Sequence, residues 1–261
     1  MSQLIIKGPA TLKGEIKVNG SKNAATPIIA ACLLIQEECI LENIPRITDV
    51  EKMLLALKSL GAEVEWQAKD QVKINTAKAD VSKISASAAT AGDLGQIELL
   101  VKSMRSSILF LGPLLARFGQ ITIPEPGGCI IGNRPLATHF NALKELAIEI
   151  KEQRDQKGKI FYQLKAKEII GAEITLDEFS VTATENVIMA AVLANGRTVL
   201  KLAALEPHVQ DLIKFLDAAG AKIQEKPGHI IVIDGVKKLR GLSYRIIPDQ
   251  IETGTLAVAS V

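Results

Sequence analysis

Leu57-Lys58-Ser59-Leu60-Gly61-Ala62-Glu63-Val64 reads as the end of a helix running into a strand, and the pattern occurs three times. It returns as Leu143-Lys144-Glu145-Leu146-Ala147-Ile148-Glu149-Ile150 and as Leu216-Asp217-Ala218-Ala219-Gly220-Ala221-Lys222-Ile223. Around the first copy, Glu38 to Asn43 reads as a strand, Pro45 to Asp49 as a turn with a helix start, and Val50 to Leu60 as an amphipathic helix stopped at Gly61. Ala62 to Trp66 and Val72 to Asn75 then pair as a hairpin. Around the third copy the order repeats: strand 171–176, apolar helix from Thr184 to Leu193, strand 197–202, a helix from Pro207 to Gly220, and strands 221–225 and 229–233. The middle copy is degraded. The expected fold is α/β (α+β), a pseudo-threefold repeat of βαβαββ-like units with the apolar helices together inside and the sheets outside.

Upstream, residues 4–18 alternate as short strands and lead into Asn19-Gly20-Ser21-Lys22-Asn23-Ala24-Ala25. Ser21 is the expected N-cap of a buried helix continuing to Leu34. Lys22 and Asn23 occupy its first turn, where free N–H groups and a full positive charge suit an anion; a solvated surface lysine is the alternative. Between the first two units, residues 76–95 read as a loose connection, Leu99 to Met104 as helix and Ser107 to Leu111 as strand. Arg105, at that junction, is a candidate second anion clamp or a surface charge.

Pro126-Gly127-Gly128-Cys129-Ile130-Ile131-Gly132-Asn133-Arg134-Pro135 cannot settle into helix or strand and reads as a loop carrying one thiol and one guanidinium. Cys129 is a candidate acid or nucleophile and Arg134 a candidate anion clamp, against the alternative of a small buried thiol in a turn. By position, Lys22 opens the buried helix of the first unit, and Ser180 to Thr184 stand at the matching place in the third. The Cys129 loop is expected there in the second.

With 31 basic and 29 acidic side chains, a net charge of +2 and 3% aromatics, there is neither a phosphate-tracking face nor a base-stacking platform, so nucleic acid is not an expected partner. Cys32, Cys39 and Cys129 form no CxxC pair, and His139, His208 and His229 have no ligand spacing, which supports neither a disulfide framework nor a metal site. No charged leader and no apolar run of bilayer length are present, so a soluble, cytoplasmic protein without a membrane partner is expected.

Five stretches carry a resemblance: Asn19 to Ala25, Met104-Arg105-Ser106-Ser107-Ile108, Leu111 to Gly119, Pro126 to Pro135, and Ile247-Pro248-Asp249-Gln250-Ile251-Glu252-Thr253-Gly254-Thr255. In that order they resemble the UDP-N-acetylglucosamine 1-carboxyvinyltransferases, enolpyruvyl transferases that commit sugar nucleotide to peptidoglycan synthesis. The resemblance implies the family's inside-out α/β barrel fold, with two such domains flanking a cleft. Residues 22–247 would be the first domain, with 1–21 and 248–261 belonging to a second that is largely missing. It implies transfer of the enolpyruvyl group of phosphoenolpyruvate to the 3-hydroxyl of UDP-N-acetylglucosamine with release of phosphate, and no cofactor. Lys22 and Asn23 would hold phosphoenolpyruvate with Arg134, and Cys129 would be the acid. Arg105, the strip Arg134-Pro135-Leu136-Ala137-Thr138 and Ser180-Val181 would hold the sugar nucleotide. Two positions depart from the family: Ala137 stands where aspartate is usual, and Glu178 puts a negative charge near a diphosphate. A chain of this extent is expected not to turn over alone. The other readings are a non-catalytic sugar-nucleotide binding fragment and the shikimate-pathway enolpyruvyl transferase, against which the Gly-Gly-Cys-x-x-Gly-x-Arg-Pro loop argues.

Overall fold

The computed structural model describes residues 5, 8, 13–81, 105–124, 136–154, 158 and 160–260. The Ser21 hydroxyl accepts the Ala24 N–H and starts α1 (Lys22–Ala31), which a 3-10 turn at Cys32–Leu34 extends. β1 (Glu38–Glu42), α2 (Thr48–Ser59), β2 (Glu63–Ala68) and β3 (Gln71–Asn75) complete the first unit. The second holds a 3-10 turn (Arg105–Phe110), α3 (Leu111–Phe118), β4 (Gln120–Pro124), α4 (Ala137–Glu145), β5 (Glu149–Arg154) and β6 (Ile160–Lys165). The third holds β7 (Glu173–Thr175), α5 (Val181–Ala191), β8 (Arg197–Lys201), α6 (Pro207–Ala218), β9 (Lys222–Lys226) and β10 (Ile230–Asp234). β11 (Ser243–Arg245) and α7 (Gln250–Ala259) follow.

Each unit has its own sheet. In the third the order is β7-β8-β10-β9, with β7 parallel to β8 and the rest antiparallel. In the first it is β11-β1-β3-β2, with β11 parallel to β1. The edge strand that precedes α5 in its own unit is therefore supplied to the first unit from residues 243–245. β4-β6-β5 are the described strands of the second sheet. Inner strands bury alternate residues, such as Val72 and Ile74 or Ile231 and Ile233, so one face of each sheet packs inward. The inward space is filled by α1, α3 and α5; Ala24 to Ala31 and Ala183 to Ala191 are buried throughout. Helices apolar all round belong in such an interior.

The helix-end repeat has a conformational cause. Gly61 (φ 95°), Ala147 (φ 62°) and Gly220 (φ 103°) all turn the chain in the left-handed region after α2, α4 and α6. The degraded copy thus keeps the geometry and loses the residue that suits it.

Three expectations are corrected. Residues 13–19 form no strand and are mostly exposed. Ser107 to Leu111 is helical rather than extended, because the Asn186 side chain accepts the Gly112 N–H at 2.8 Å and donates to the Ile108 carbonyl at 3.0 Å. Pro113 sits in the first turn of α3, where no N–H is needed. Finally, α3 is the second unit's counterpart of α1 and α5, so Arg105 to Phe110 precede the helix that matches α1. The Cys129 loop falls between β4 and α4, the place held by residues 43–47 in the first unit and 202–206 in the third.

Arg117, in the last turn of α3, is not a solvated charge. From α3 its guanidinium donates to Leu33 O (3.0 Å), Thr76 Oγ1 (2.7 Å) and Thr76 O (2.7 Å), tying the second unit to the end of β3. Burial alone pushes its pKa down from the ordinary arginine value.

Two stability measurements follow from this geometry. Ala147→Gly relieves left-handed strain and is expected to raise unfolding free energy by about 0.5–1 kcal/mol in urea titration, the strain outweighing glycine's extra freedom when unfolded. A loss of stability would show that the turn is held for other reasons. Arg117→Ala is expected to cost about 2 kcal/mol, the scale of charge-assisted bonds to carbonyls left unpaired; a change below a few tenths would rule out the clamp.

Candidate active site

Local chemistry sets up the start of α1. With Ser21 as cap, the N–H groups of the first turn point along the helix axis, and Lys22 adds a charge there. Pro27 lies inside α1 and has no N–H to offer the Asn23 carbonyl, and one residue earlier Thr26 Oγ1 donates to Lys22 O at 3.3 Å. The Lys22 ammonium meets Asp49 Oδ2 at 3.0 Å, and the two side chains remain 45% and 41% exposed. Asp49 belongs to the first turn of α2, so the pair joins two helix starts. A half-exposed pair of this kind contributes little stability and leaves the cation open to an incoming anion.

The start of α5 repeats the device. Ser180, extended at φ −136° and ψ 113°, accepts the Ala183 N–H at 3.4 Å and frames Val181 as the first helical residue. Beside it lies the start of α4, with Leu136 half-buried, Ala137 exposed and Thr138 buried. Thr138 Oγ1 donates to Glu178 Oε1 at 3.2 Å, and Asn141 Nδ2 to Asp177 Oδ2 at 2.9 Å. Beneath them is a buried polar junction. Because Asn186 Oδ1 is taken by Gly112 N–H, its amide hydrogens face Ile108 O, Thr182 O (3.1 Å) and His139 Nδ1 (3.3 Å). His139 Nε2 and Thr182 Oγ1 share a hydrogen bond at 3.1 Å.

The structure therefore joins the start of α4, which holds Leu136, Ala137 and Thr138, to the start of α5, which holds Ser180 and Val181, through the Thr138–Glu178 and His139–Thr182 hydrogen bonds, while Lys22 and Asn23 sit at the start of α1, where Lys22 pairs with Asp49. Arg105 opens a 3-10 turn, its side chain lying outside the described residues along with Cys129, Arg134 and Pro135. Cys32 and Cys39 are buried. Among the described residues no group of three or more His, Cys, Asp or Glu side chains is placed to hold a metal ion, and no helix is long and apolar enough to cross a membrane.

Sequence reading missed three groups here. Asp49 gave no signal of its pairing with Lys22. His139 was read only for metal spacing. Glu185 had a signal, a carboxyl group in an otherwise apolar helix, and it is 1% exposed with no hydrogen-bond partner for Oε1 among the described residues. Burial, then the charge of Glu206, pushes its pKa well above the carboxylate range.

The sequence profile of the EPSP synthase (3-phosphoshikimate 1-carboxyvinyltransferase) family matches residues 6–261. The chain belongs to this family. Within it, UDP-N-acetylglucosamine 1-carboxyvinyltransferase of Hydrogenovibrio crunogenus is 43% identical over 260 residues, covering 100% of this chain and 58% of the relative. The enzyme of that name from Treponema denticola is 46% identical over 255 residues, covering 98% and 56%. The chain thus spans a little over half the length of these relatives. The enolpyruvyl transferase NikO from Streptomyces tendae shares the fold at a TM-score of 0.76 and 20% identity, over 96% of this chain and 55% of that one. EPSP synthase from Acinetobacter baumannii does so at 0.68 and 19%, over 90% and 50%. The architecture is that of the enolpyruvyl transferases.

Glu185 makes the stability of this member pH-dependent. Its folded pKa lies above the unfolded value of about 4.3, so between the two the folded state keeps a proton that the unfolded state has lost. Its contribution is complete below that lower value and declines as pH rises through the folded pKa. Glu185→Gln does not titrate and is expected to gain on the wild type as pH climbs from about 4.3, by at most about 1.4 kcal/mol per unit. Parallel stability–pH curves for the two proteins would refute it.

Proposed function

We propose that this chain carries the substrate-binding machinery for transfer of the enolpyruvyl group of phosphoenolpyruvate to the 3-hydroxyl of UDP-N-acetylglucosamine, with release of phosphate, in peptidoglycan synthesis in the cytoplasm. The observation that carries the reading is identity of 43–46% along essentially the whole chain to enzymes named for that transfer. In this reading residues 22–247 are one domain, with 1–21 and 248–261 belonging to the other side of a cleft. Lys22 and Asn23, with Arg134, hold the phosphate and carboxylate of phosphoenolpyruvate. An ammonium at a capped helix start offers a full charge and aligned N–H dipoles to the same anion. Asp49 keeps that ammonium in place, held by a single contact that an anion can displace. Arg105, the strip from Arg134 to Thr138 and Ser180-Val181 take the sugar nucleotide, and the adjacency of the α4 and α5 starts supports one ligand spanning both. Cys129 supplies the proton to the enol carbon as the sugar hydroxyl adds to the adjacent carbon. Fixed cations and N–H groups are what the charge developing on a departing phosphate requires.

Calorimetric titration of the chain tests the reading. UDP-N-acetylglucosamine is expected to bind, and shikimate 3-phosphate to give no heat; the reverse would assign the chain to the shikimate reaction instead. Lys22→Ala is expected to weaken phosphoenolpyruvate binding by about 1.5–3 kcal/mol, the worth of a charge-assisted contact. Unchanged affinity would remove Lys22 from the site.

A further inference from the structure

Two thiols that the proposed reaction leaves unused lie side by side in the core. Cys32 opens the 3-10 turn that follows α1, and Cys39 is the second residue of β1. Both are unbridged and 1% exposed. The backbone holds them together. Ile35 N–H closes the turn on Cys32 O at 3.1 Å, and Thr76 Oγ1 lies 3.2 Å from Cys32 O and 2.8 Å from Ile35 O, which fastens the turn to the end of β3. Cys39 pairs with Ile74 on that same strand. Arg117 fixes the junction from the second unit by donating to Leu33 O and Thr76 Oγ1. In this frame the Cys32 thiol donates a hydrogen bond to the Cys39 sulfur. That bond, and then burial, pushes the Cys32 thiol well up, while the same bond draws Cys39 below the ordinary thiol value against the opposing effect of burial. One sulfur keeps its proton and the other gains thiolate character, so the pair holds an attacking thiol beside one that can resolve it.

We propose that Cys32 and Cys39 form a reversible oxidation site, closed to a disulfide by a hydroperoxide and reopened by a thiol reductant. The Cys39 sulfur attacks one oxygen of hydrogen peroxide, the O–O bond breaks, and the thiol proton leaves with the departing oxygen as water, giving a sulfenic acid. The Cys32 sulfur then attacks the Cys39 sulfur, the S–O bond breaks, and the hydroxyl leaves with the Cys32 proton as a second water. Two electrons pass from the sulfur pair to the peroxide. Burial sets the selectivity, because a water-sized oxidant needs only a brief local opening to reach the pair, whereas a bulky reagent needs a wide one. The bond would join the end of α1 to β1 and restrict the unfolded chain, so the oxidised protein is the harder to unfold. This site is independent of the transfer reaction proposed above.

The test treats the folded chain with hydrogen peroxide, blocks the remaining thiols with N-ethylmaleimide in denaturant, and maps the peptides by mass spectrometry. A Cys32–Cys39 linkage, two hydrogens lighter than the reduced pair and reversed by dithiothreitol, is expected in the wild type. Cys32→Ala is expected to halt at a Cys39 sulfenic acid that dimedone traps, and Cys39→Ala to leave Cys32 a free thiol. The urea midpoint of the oxidised wild type should lie above that of the reduced protein. Recovery of both cysteines as free thiols, or a linkage of either to Cys129, overturns the inference, and the wild-type map decides this even where a variant fails to fold. Trapping of Cys32 rather than Cys39 overturns the assignment of the attacking sulfur. A linkage that forms but lowers the urea midpoint overturns its role as a fastening of α1 to β1.

Discussion

The side-chain amide of Asn186 is the interaction on which the interior depends. A helix buried on every side has end groups that water cannot reach, and leaving one unpaired costs about 1–3 kcal/mol. The molecule meets this for α3 by projecting Asn186 from the middle of α5, so that one oxygen takes the Gly112 N–H and the nitrogen serves the Ile108 carbonyl. Close approach makes this possible, since a Cβ on Gly112 would lie 2.3 Å from the Asn186 carbonyl oxygen. Glycine is required there for contact between backbones rather than for conformational freedom. The same amide meets His139 Nδ1 at 3.3 Å, and His139 Nε2 shares a hydrogen bond with Thr182 in the first turn of α5. The core and the proposed nucleotide side of the site therefore share one polar junction.

Much of the architecture was legible because it is local. Periodicity, the Ser21 and Ser180 caps and the recurring helix stop act within a few residues, and they place α2, α6 and the hairpins within a few residues of their observed limits. What was illegible is long-range. Asn186 and Gly112 are 74 residues apart, and that bond turns a β-like run of Ser, Ile, Leu and Phe into a 3-10 turn. Arg117 reaches Thr76 across 41 residues and so reads from sequence as an ordinary helix-end charge. The match of the Cys129 loop to the start of α1 failed for a related reason: glycines and prolines mark a loop but not which junction of a repeat it occupies. Only the order of α3, β4 and α4 around it decides that.

The electrostatics of the candidate site reflect the same borrowing. Lys22 takes Asp49 from α2, and Thr138 takes Glu178 from the next unit, so each helix start faces a carboxylate carried on another element. Partly exposed carboxylates near helix dipoles contribute a fraction of a kcal/mol to stability. Their larger effect is on what else can bind, because an incoming anion must compete with a group held at high local concentration.

The start of α1 is fastened to a segment more than two hundred residues away. The Ser21 N–H donates to Ile247 O at 2.9 Å and the Asp249 N–H to Asn19 O at 2.8 Å, while Asn19 gives both its backbone and amide N–H groups to the carboxylate of Glu252 in α7. Gly20 lies between, and a Cβ there would fall 1.6 Å from Asn43 O, so no other residue fits the crossing. The far segment is itself anchored: buried Asp211 accepts the Tyr244 hydroxyl at 2.6 Å and the Ile247 N–H at 3.2 Å. Burial, more than these bonds, governs that carboxyl and pushes its pKa up. α7 buries none of its residues and is held chiefly through its first turn, by the Asp249 cap and Glu252. A displacement of α7 against the body must then be taken up across Asn19, Gly20 and Ser21. The next residue is Lys22, so the position of the proposed phosphate-binding ammonium and the direction of α7 are coupled through four hydrogen bonds and one glycine.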